Sequence, residues 1–210
     1  MIISTFIFQL IDSRMYVIIE DDEALVIDPC ENTEAFELLK SRKISWVNII
    51  LTHEHYDHIS GVNAFRKQFK CNVICSEICG KKITDSRGNL SKYFEVLIAS
   101  KAKSEMIHIE PFKCYADVTF RNKMQMVWKK HRVSLIETPG HSEGSICIEI
   151  DSEYLFTGDS LLKNNTNVTK IIGGNQQVFE LTTKPILKSY EHIYVYPGHG
   201  DSGWIEEFNI

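Results

Sequence analysis

The sequence of 210 residues has few residues that break regular structure and no excess of positive charge. It contains only 11 glycines and five prolines, which is too few for a disordered or collagen-like chain. Lys and Arg total 23 against 28 Asp and Glu, a net charge of −5. This balance argues against a nucleic acid or an acidic membrane surface as partner, and we expect neither.

Long hydrophobic runs and an export signal are also missing. No stretch approaches the roughly 20 apolar residues that span a bilayer. The apolar N-terminus, Ile2–Ile11, lacks a preceding basic residue and a following cleavage site, so it predicts a strand. The six cysteines do not suit a disulfide scaffold in a chain of this size and are interpreted as reduced thiols. We therefore expect a cytoplasmic protein.

The length and the 43% hydrophobic content predict a single domain over residues 1–210 with a sizeable core. Strands and helices alternate through the first third, which indicates an α/β protein. Residues 81–110 are polar and turn-rich and are interpreted as a surface excursion with some helix. Later strands are predicted at Val133–Glu137, Ser145–Ile150, Tyr154–Phe156 and Ile193–Tyr196, with a helical segment at Gln176–Tyr190 that Pro185 should interrupt.

Three of the eight histidines fall within six residues, directly after the apolar strand that ends at Leu51. Segment 52–58 reads THEHYDH. Because side chains alternate in an extended segment, we expect His53, His55 and Asp57 to point one way and the residues between them the other. His58 then lies where the chain bends into a helix. Four nitrogen and oxygen donors this close can serve two metal ions if other segments complete both sets of ligands.

Three further segments place a histidine or an aspartate directly after a glycine at the end of a predicted strand. A glycine there lets the loop turn sharply and aim the next side chain. The four segments together predict a metal site. The three new pairs are Gly140-His141, Gly158-Asp159 and Gly198-His199, whereas His108, His131 and His192 lack such a setting and are interpreted as surface or packing residues.

These segments resemble, in order and over essentially the whole chain, the motifs of the metallo-β-lactamase-fold hydrolases. The resemblance is closest to the glyoxalase II-like (hydroxyacylglutathione hydrolase-like) branch, as residues 85–94 and 145–147 also indicate. It implies a four-layer αββα sandwich with a binuclear metal site at one edge. Asp28, at the end of a predicted strand, resembles the first motif of the superfamily.

The resemblance also implies a set of ligands and catalytic residues. Asp28 would orient the ligands and Asp57 would orient the attacking water. Two divalent ions are expected, zinc first with iron or manganese as alternatives, because every ligand is nitrogen or oxygen and no cysteine falls in a motif. By analogy the first ion is held by His53, His55 and His141, the second by Asp57, His58 and His199, and both by Asp159.

The implied reaction is hydrolysis of a thioester or an ester of a small acyl substrate by a hydroxide that bridges the two ions. Such ions lower the pKa of water from about 15.7 toward about 7. Only 11 residues follow His199, so we expect no C-terminal helical extension of the kind that helps glyoxalase II to bind glutathione. Candidate substrate contacts near the motifs are Tyr93, Ser142, Lys163 and Asn164, and the alternative for each, which the sequence favours, is a loop or packing residue.

An enzyme of a different class remains an alternative, because the same fold also hosts iron-dependent persulfide dioxygenases that keep these motifs. Lactonase, β-lactamase and phosphodiesterase activities are further alternatives. β-Lactamases of this fold generally replace the residue at the Asp159 position and are exported, and a nuclease would be expected to carry a basic surface. Metal content and substrate assays would separate these functions, and the sequence leaves the oligomeric state open.

Overall fold

Two six-stranded sheets form the centre of the computed structural model, which describes residues 1–99, 108–163, 168 and 172–210. The first three strands of the first sheet are antiparallel, and the remaining strands continue parallel to the third. In spatial order, which is also chain order, the sheet contains β1 (Ile2–Phe8), β2 (Ser13–Glu20), β3 (Glu23–Ile27), β4 (Trp46–Ile50), β5 (Cys71–Ser76) and β6 (Val118–Phe120).

The second sheet is antiparallel except for one parallel pair of strands. Its members are β7 (Lys123–Trp128), β8 (His131–Glu137), β9 (Ile146–Ile150), β10 (Tyr154–Gly158), β11 (Tyr194–Pro197) and β12 (Gly203–Trp204). They follow one another in space from β12 to β7, and β10 and β11 form the parallel pair.

Short helices flank the sheets. They are α1 (Thr33–Ser41), α2 (Tyr56–Ile59), α3 (Val62–Gln68), α4 (Glu77–Lys82), α5 (Phe94–Ala99), α6 (Gln176–Val178) and α7 (Lys184–Lys188), with 3-10 turns at Ser91–Tyr93 and Ile205–Glu207 and a π turn at Phe179–Thr183. No helix in the described part of the chain is both long and apolar enough to cross a membrane.

The alternation of side chains along the strands divides the apolar residues among three cores. On β2, Met15 and Val17 pack against α1 and α3, whereas Tyr16 and Ile18 face the second sheet. A third cluster, which includes Leu155, lies between the other face of the second sheet and the helices near the C-terminus. The layers are therefore helix, sheet, sheet and helix, and the predicted αββα sandwich is confirmed.

Two predicted elements differ from the observed ones. The first strand ends at Phe8 and not at Ile11, because the chain turns through Asp12, whose φ of 59° is left-handed. Pro185 does not interrupt its helical segment. It lies in the first turn of α7, directly after the π turn, where its missing N–H removes no bond that the helix needs.

Candidate metal centre

All seven predicted ligands lie at one edge of the sandwich, in the loops that follow β4, β8, β10 and β11. Backbone hydrogen bonds hold these loops together. The Ile146 N–H donates to the Thr52 carbonyl at 2.8 Å, and the Gly198 N–H donates to the Gly158 carbonyl at 2.7 Å. The first bond joins the two sheets, so ligands from different strands are fixed relative to one another.

The motif segment is extended only as far as His55. Helix α2 begins at the next residue, and the His58 N–H donates to the His55 carbonyl at 3.0 Å. The predicted alternation therefore holds for His53 and His55, whereas Asp57 and His58 reach the same site from the first turn of a helix. Consecutive helical residues are about 100° apart around the axis, which lets both side chains contribute to the site.

Three groups of three donors in the described residues could hold an ion, and one of them, Asp28, His53 and His58, overlaps the other two. In the first triad, His53, His55 and His141, the donor atoms lie within 4.8 Å of one another. In the second triad, Asp57, His58 and His199, the donor atoms are equally close. The Asp57 Oδ2 atom lies 3.1 Å from His58 Nε2 and 3.4 Å from His199 Nε2.

Asp159 contacts both triads. Its Oδ2 atom lies 3.4 Å from His141 Nε2 and 3.5 Å from His199 Nε2, and its Oδ1 atom lies 3.5 Å from His58 Nε2. One carboxylate between two sets of imidazoles has the position that the analogy expects for a bridging ligand.

Three buried polar atoms in this cluster make no hydrogen bond of acceptable geometry among the described residues, namely His53 Nε2, His58 Nε2 and Asp159 Oδ1. The carboxylate oxygens that lie 3.1 and 3.5 Å from His58 Nε2 are close to it but poorly aligned for a hydrogen bond. Burying such atoms without a partner is costly, so natural sites leave them in this state where a further group completes the arrangement. Imidazole nitrogens and carboxylate oxygens converging at this range suit divalent zinc, iron or manganese. The residues therefore fit two divalent ions.

Asp28 orients two of the imidazoles from behind. Its Oδ1 accepts the Thr52 N–H at 2.7 Å, and its Oδ2 accepts the Thr52 hydroxyl at 2.5 Å and His58 Nδ1 at 2.9 Å. The Thr52 Oγ1 atom lies 3.0 Å from His53 Nδ1. Because the Thr52 hydroxyl donates its hydrogen bond to Asp28, its oxygen can accept a hydrogen bond from the Nδ1–H of His53. When a metal ion is bound, both rings would carry their one proton on Nδ1 and would turn an Nε2 lone pair toward the centre.

The two triads have opposite pKa shifts. Burial holds the pKa of His53 well below its usual range and lowers the pKa of His55 to about 4. Burial acts in the same direction on His58, but the charges of Asp57 and Asp159 outweigh it and raise the pKa of His58 well above its usual range. Burial would raise the pKa of Asp57, yet the charge of His58 keeps it well below its usual range.

At two of the predicted glycines, neighbouring side chains come so close to the backbone that there is no room for a Cβ atom. At Gly198, a Cβ would collide with Asp159 Oδ1 and would lie 2.8 Å from His58 Cε1. At Gly158, which has a φ of 49°, a Cβ would collide with the Thr52 hydroxyl. A side chain at either position would therefore displace a ligand or the residue that orients one.

Glu54 lies on the far side of the motif from the imidazoles, as the alternation predicts. Its carboxylate accepts the Ser142 hydroxyl at 2.9 Å and pairs with Lys82 Nζ at 3.0 Å. Ser142 is fully buried in this network and also lies 2.8 Å from Ser145 Oγ. The structure thus places Ser142 behind the site, where it links the His141 loop to the motif, so Ser142 has the packing role that was the alternative to a substrate contact.

The other predicted substrate contacts also lie away from the centre. Tyr93 is 41% exposed and does not line the cavity beside the ligands, and the Lys163 ammonium pairs with Glu207 at 2.6 Å. Asn164 lies outside the described residues. The three remaining histidines behave as predicted, since His131 packs on Trp128 and pairs with Asp151 while His108 and His192 pair with surface glutamates.

A cavity of about 780 Å³ opens on the centre. The ligands His55, Asp57, His141, Asp159 and His199 line one side, together with Tyr56. Seven aliphatic or phenyl side chains also line the cavity. Six of them, here called the apolar wall, are Ile7, Ile11, Leu90, Phe94, Leu97 and Ile98, and the seventh is Leu162.

The sequence prediction missed the apolar wall. The signal that could have found its larger part is the helical spacing of Leu90, Phe94, Leu97 and Ile98, which lie at i, i+4, i+7 and i+8. Polar residues on both sides of this short pattern hid it.

Residues 11–199 match the metallo-beta-lactamase superfamily, and the chain belongs to that family. It is similar to the probable metallo-hydrolase YqgX of Bacillus subtilis (strain 168), at 27% identity over 201 residues, which cover 90% of this chain and 86% of the relative. It is also similar to a hydroxyacylglutathione hydrolase of Glaesserella parasuis serovar 5, at 23% identity over 188 residues, or 90% of this chain and 66% of the relative.

Solved structures agree with this assignment. The BLEG-1 B3 metallo-beta-lactamase superimposes with a TM-score of 0.83 at 26% identity, over 98% of this chain and 95% of that one. TTHA1623, solved in a di-iron-bound form, superimposes with a TM-score of 0.76 at 16% identity, over 97% and 96% of the two chains. The protein is thus a hydrolase of the metallo-β-lactamase superfamily with histidine and aspartate clusters that suit metal ions.

Proposed function

We propose that the protein hydrolyses a thioester or an ester of a small acyl substrate, with two divalent ions in the two triads and zinc as the first choice of metal. The observation that carries this proposal is the pair of triads joined by Asp159, five of whose seven ligands line a substrate-sized cavity. No nucleophilic serine or cysteine is needed at such a centre.

When bound, the two ions would supply an acidified water and a positive field for the substrate carbonyl. Asp57 is ionised at neutral pH and accepts a hydrogen bond from the attacking water, which it thereby orients. Asp28 keeps His53 and His58 in the tautomer that ligates. As the new carbon–oxygen bond forms, the carbon–sulfur or carbon–oxygen bond of the substrate breaks. The products are a carboxylic acid and a thiol or an alcohol.

A thioester is the preferred substrate because the chain resembles a hydroxyacylglutathione hydrolase along most of its length. The partner is then a small molecule, and the net charge of −5 agrees with the absence of a nucleic acid partner. All six cysteines are free thiols, which supports a reducing compartment such as the cytoplasm.

The test is elemental analysis of the purified protein, followed by assays with S-lactoylglutathione, other thioesters, lactones, a β-lactam, a phosphodiester and a persulfide. We expect about two metal ions per chain and hydrolysis of at least one thioester or ester. Asp57→Asn should abolish turnover, whereas Asp21→Asn, an exposed acid in a distant turn, should not. Two zinc ions without any acyl hydrolysis would contradict the proposal, and iron with oxygen uptake on the persulfide would support the dioxygenase alternative.

A further inference from the structure

We propose that the apolar wall binds an alkyl acyl chain, so that the preferred substrates are thioesters or esters of apolar carboxylic acids. This inference rests on the proposed function. The wall and the ligands share one cavity, whose volume of about 780 Å³ falls within the range of about 300–1,000 Å³ that is typical of small-molecule sites. A scissile bond at the metal centre would therefore direct its acyl group along the wall.

The wall is fixed relative to the metal ligands. Phe94, the first residue of α5, packs against Tyr56 with ring centroids 5.0 Å apart and against Phe8 at 6.4 Å. Tyr56 stands between the ligands His55 and Asp57 in the chain and also packs against Phe112 at 5.5 Å. This aromatic cluster holds α5 against the motif helix, so an acyl chain on the wall has a defined position relative to the scissile bond.

The charges around the cavity favour an alkyl chain over an acidic peptide-like group. Among the described residues that line it, Arg14 is the only Lys or Arg, and its Nη2 lies 3.7 Å from Asp201 Oδ1. Asp12 adds a negative charge nearby. Away from the metal centre, a ligand with several carboxylates would find one shared cation, whereas the six apolar side chains of the wall line the cavity.

Each methylene that leaves water for the wall should raise kcat/KM about three- to fourfold, as long as the wall still covers it. The test uses acetyl, butyryl, hexanoyl and octanoyl thioesters of N-acetylcysteamine with the metal-loaded protein. We expect kcat/KM to rise along this series. A value that is flat or falls from acetyl to octanoyl would overturn the inference even if every thioester is hydrolysed.

Matched variants assign the effect to the wall. Leu97→Ser and Ile7→Ser should each lower kcat/KM for the octanoyl thioester about tenfold and leave the acetyl value within about twofold. Ile7 is 42% exposed, so its replacement carries little risk to folding. The control is Val96→Ser, on the same helix but 75% exposed and outside the cavity. An equal loss in Val96→Ser would contradict the role of the wall.

A binding measurement separates this inference from the proposed hydrolysis. Calorimetry with octanoate and butyrate should show tighter binding of octanoate, and Leu97→Ser should reduce that preference. If no thioester is hydrolysed but octanoate is preferred through Leu97, the proposed function fails while the apolar site stands. If hydrolysis is observed without any preference for octanoate, the proposed function stands and the apolar site is wrong.

Discussion

The first triad and the second triad use nearly the same side chains but differ in charge. In the first triad, His53, His55 and His141, burial lowers the pKa values of His53 and His55 and outweighs the nearby carboxylates at His55. The second triad contains the carboxylate of Asp57, and negative charge raises the pKa values of His58 and His199. The first triad is therefore ready to ligate, whereas a cation at the second triad must displace a proton.

The difference shows that position within the fold, and not residue type, decides how an imidazole behaves. His55 and His58 are three residues apart and both are buried, yet their pKa values shift in opposite directions. The negative charges of Asp57 and Asp159 favour the protonated form of His58 and so raise its pKa. Asp28 contacts the same ring at Nδ1 and adds a third carboxylate. Four predictions test the comparison, beginning with the largest expected effect.

Replacing Asp159 by Ala should affect both triads at once, because its oxygens lie 3.4–3.5 Å from imidazole nitrogens of each. We expect the loss of at least one metal ion per chain after dialysis, measured by elemental analysis, and a drop in metal affinity of about 100-fold or more. Unchanged metal content would show that Asp159 does not bridge the two triads.

Asp28→Asn should weaken metal binding about 10- to 100-fold without removing any ligand, since one carboxylate fixes His58 directly and His53 through Thr52. Competition with a chelator measures the affinity. Asp22→Asn, at an exposed turn, is the control. If Asp28→Asn binds metal as tightly as the native protein, the two rings do not depend on Asp28 for their orientation.

The metal-free protein should lose stability on both sides of neutral pH, for a different reason in each triad. Below about pH 6.5 the unfolded chain takes up a proton at His55 that the folded protein resists down to about pH 4. Above about pH 6.5 the folded protein retains a proton on His58 that the unfolded chain releases. Each proton should lower the free energy of unfolding by about 1.4 kcal/mol per pH unit within its range.

Urea unfolding with a chelator present, repeated across this pH range, measures the effect. His55→Gln should reduce the loss of unfolding free energy below about pH 6.5 and leave the loss above it unchanged. His58→Gln should reduce the loss above about pH 6.5 and leave the loss below it unchanged. The same pH profile in both variants would contradict the proposed difference between the triads.

Thr52→Val should change metal affinity at one triad and not at the other, although the change should be smaller than in the preceding variants. Valine has a similar shape, so the Asp28–His58 contact should stay while the hydroxyl between Asp28 and His53 is lost. We expect metal affinity at the first triad to fall by about tenfold and affinity at the second to change little, as a two-step metal titration would show. An equal loss at both triads would mean that Thr52 acts on the whole loop.

Much of the candidate site was predictable because each ligand carries a local signal. The spacing in THEHYDH and the glycines before His141, Asp159 and His199 can be recognised from the sequence without any tertiary contact. The roles of Thr52 and Glu54 were not predictable, since both depend on a contact with a residue more than 20 positions away. The packing partner of Ser142 was not predictable for the same reason, because proximity to a motif does not say which way a side chain points.

The strands were predictable to within a few residues, whereas the helices near Pro185 and Phe94 were less clear. A proline reads as a break unless the preceding turn is known, and here a π turn places Pro185 where a missing N–H costs little. The short α5 gave a weak pattern because it has only six residues and packs mainly through Phe94 against distant aromatic rings.

By itself, the sequence indicated an α/β protein and a cluster of candidate ligands, because alternation along strands and glycine before a donor are properties of neighbouring residues. The resemblance of the motifs added the αββα sandwich and the assignment of the ligands to two ions. Only the tertiary structure decided how far apart the donor atoms of each triad lie, how Asp28 and Thr52 orient His53 and His58, and that an apolar wall shares their cavity. Those features depend on how two sheets align residues up to about 150 positions apart, and on the desolvation and charge that this alignment imposes on each buried group.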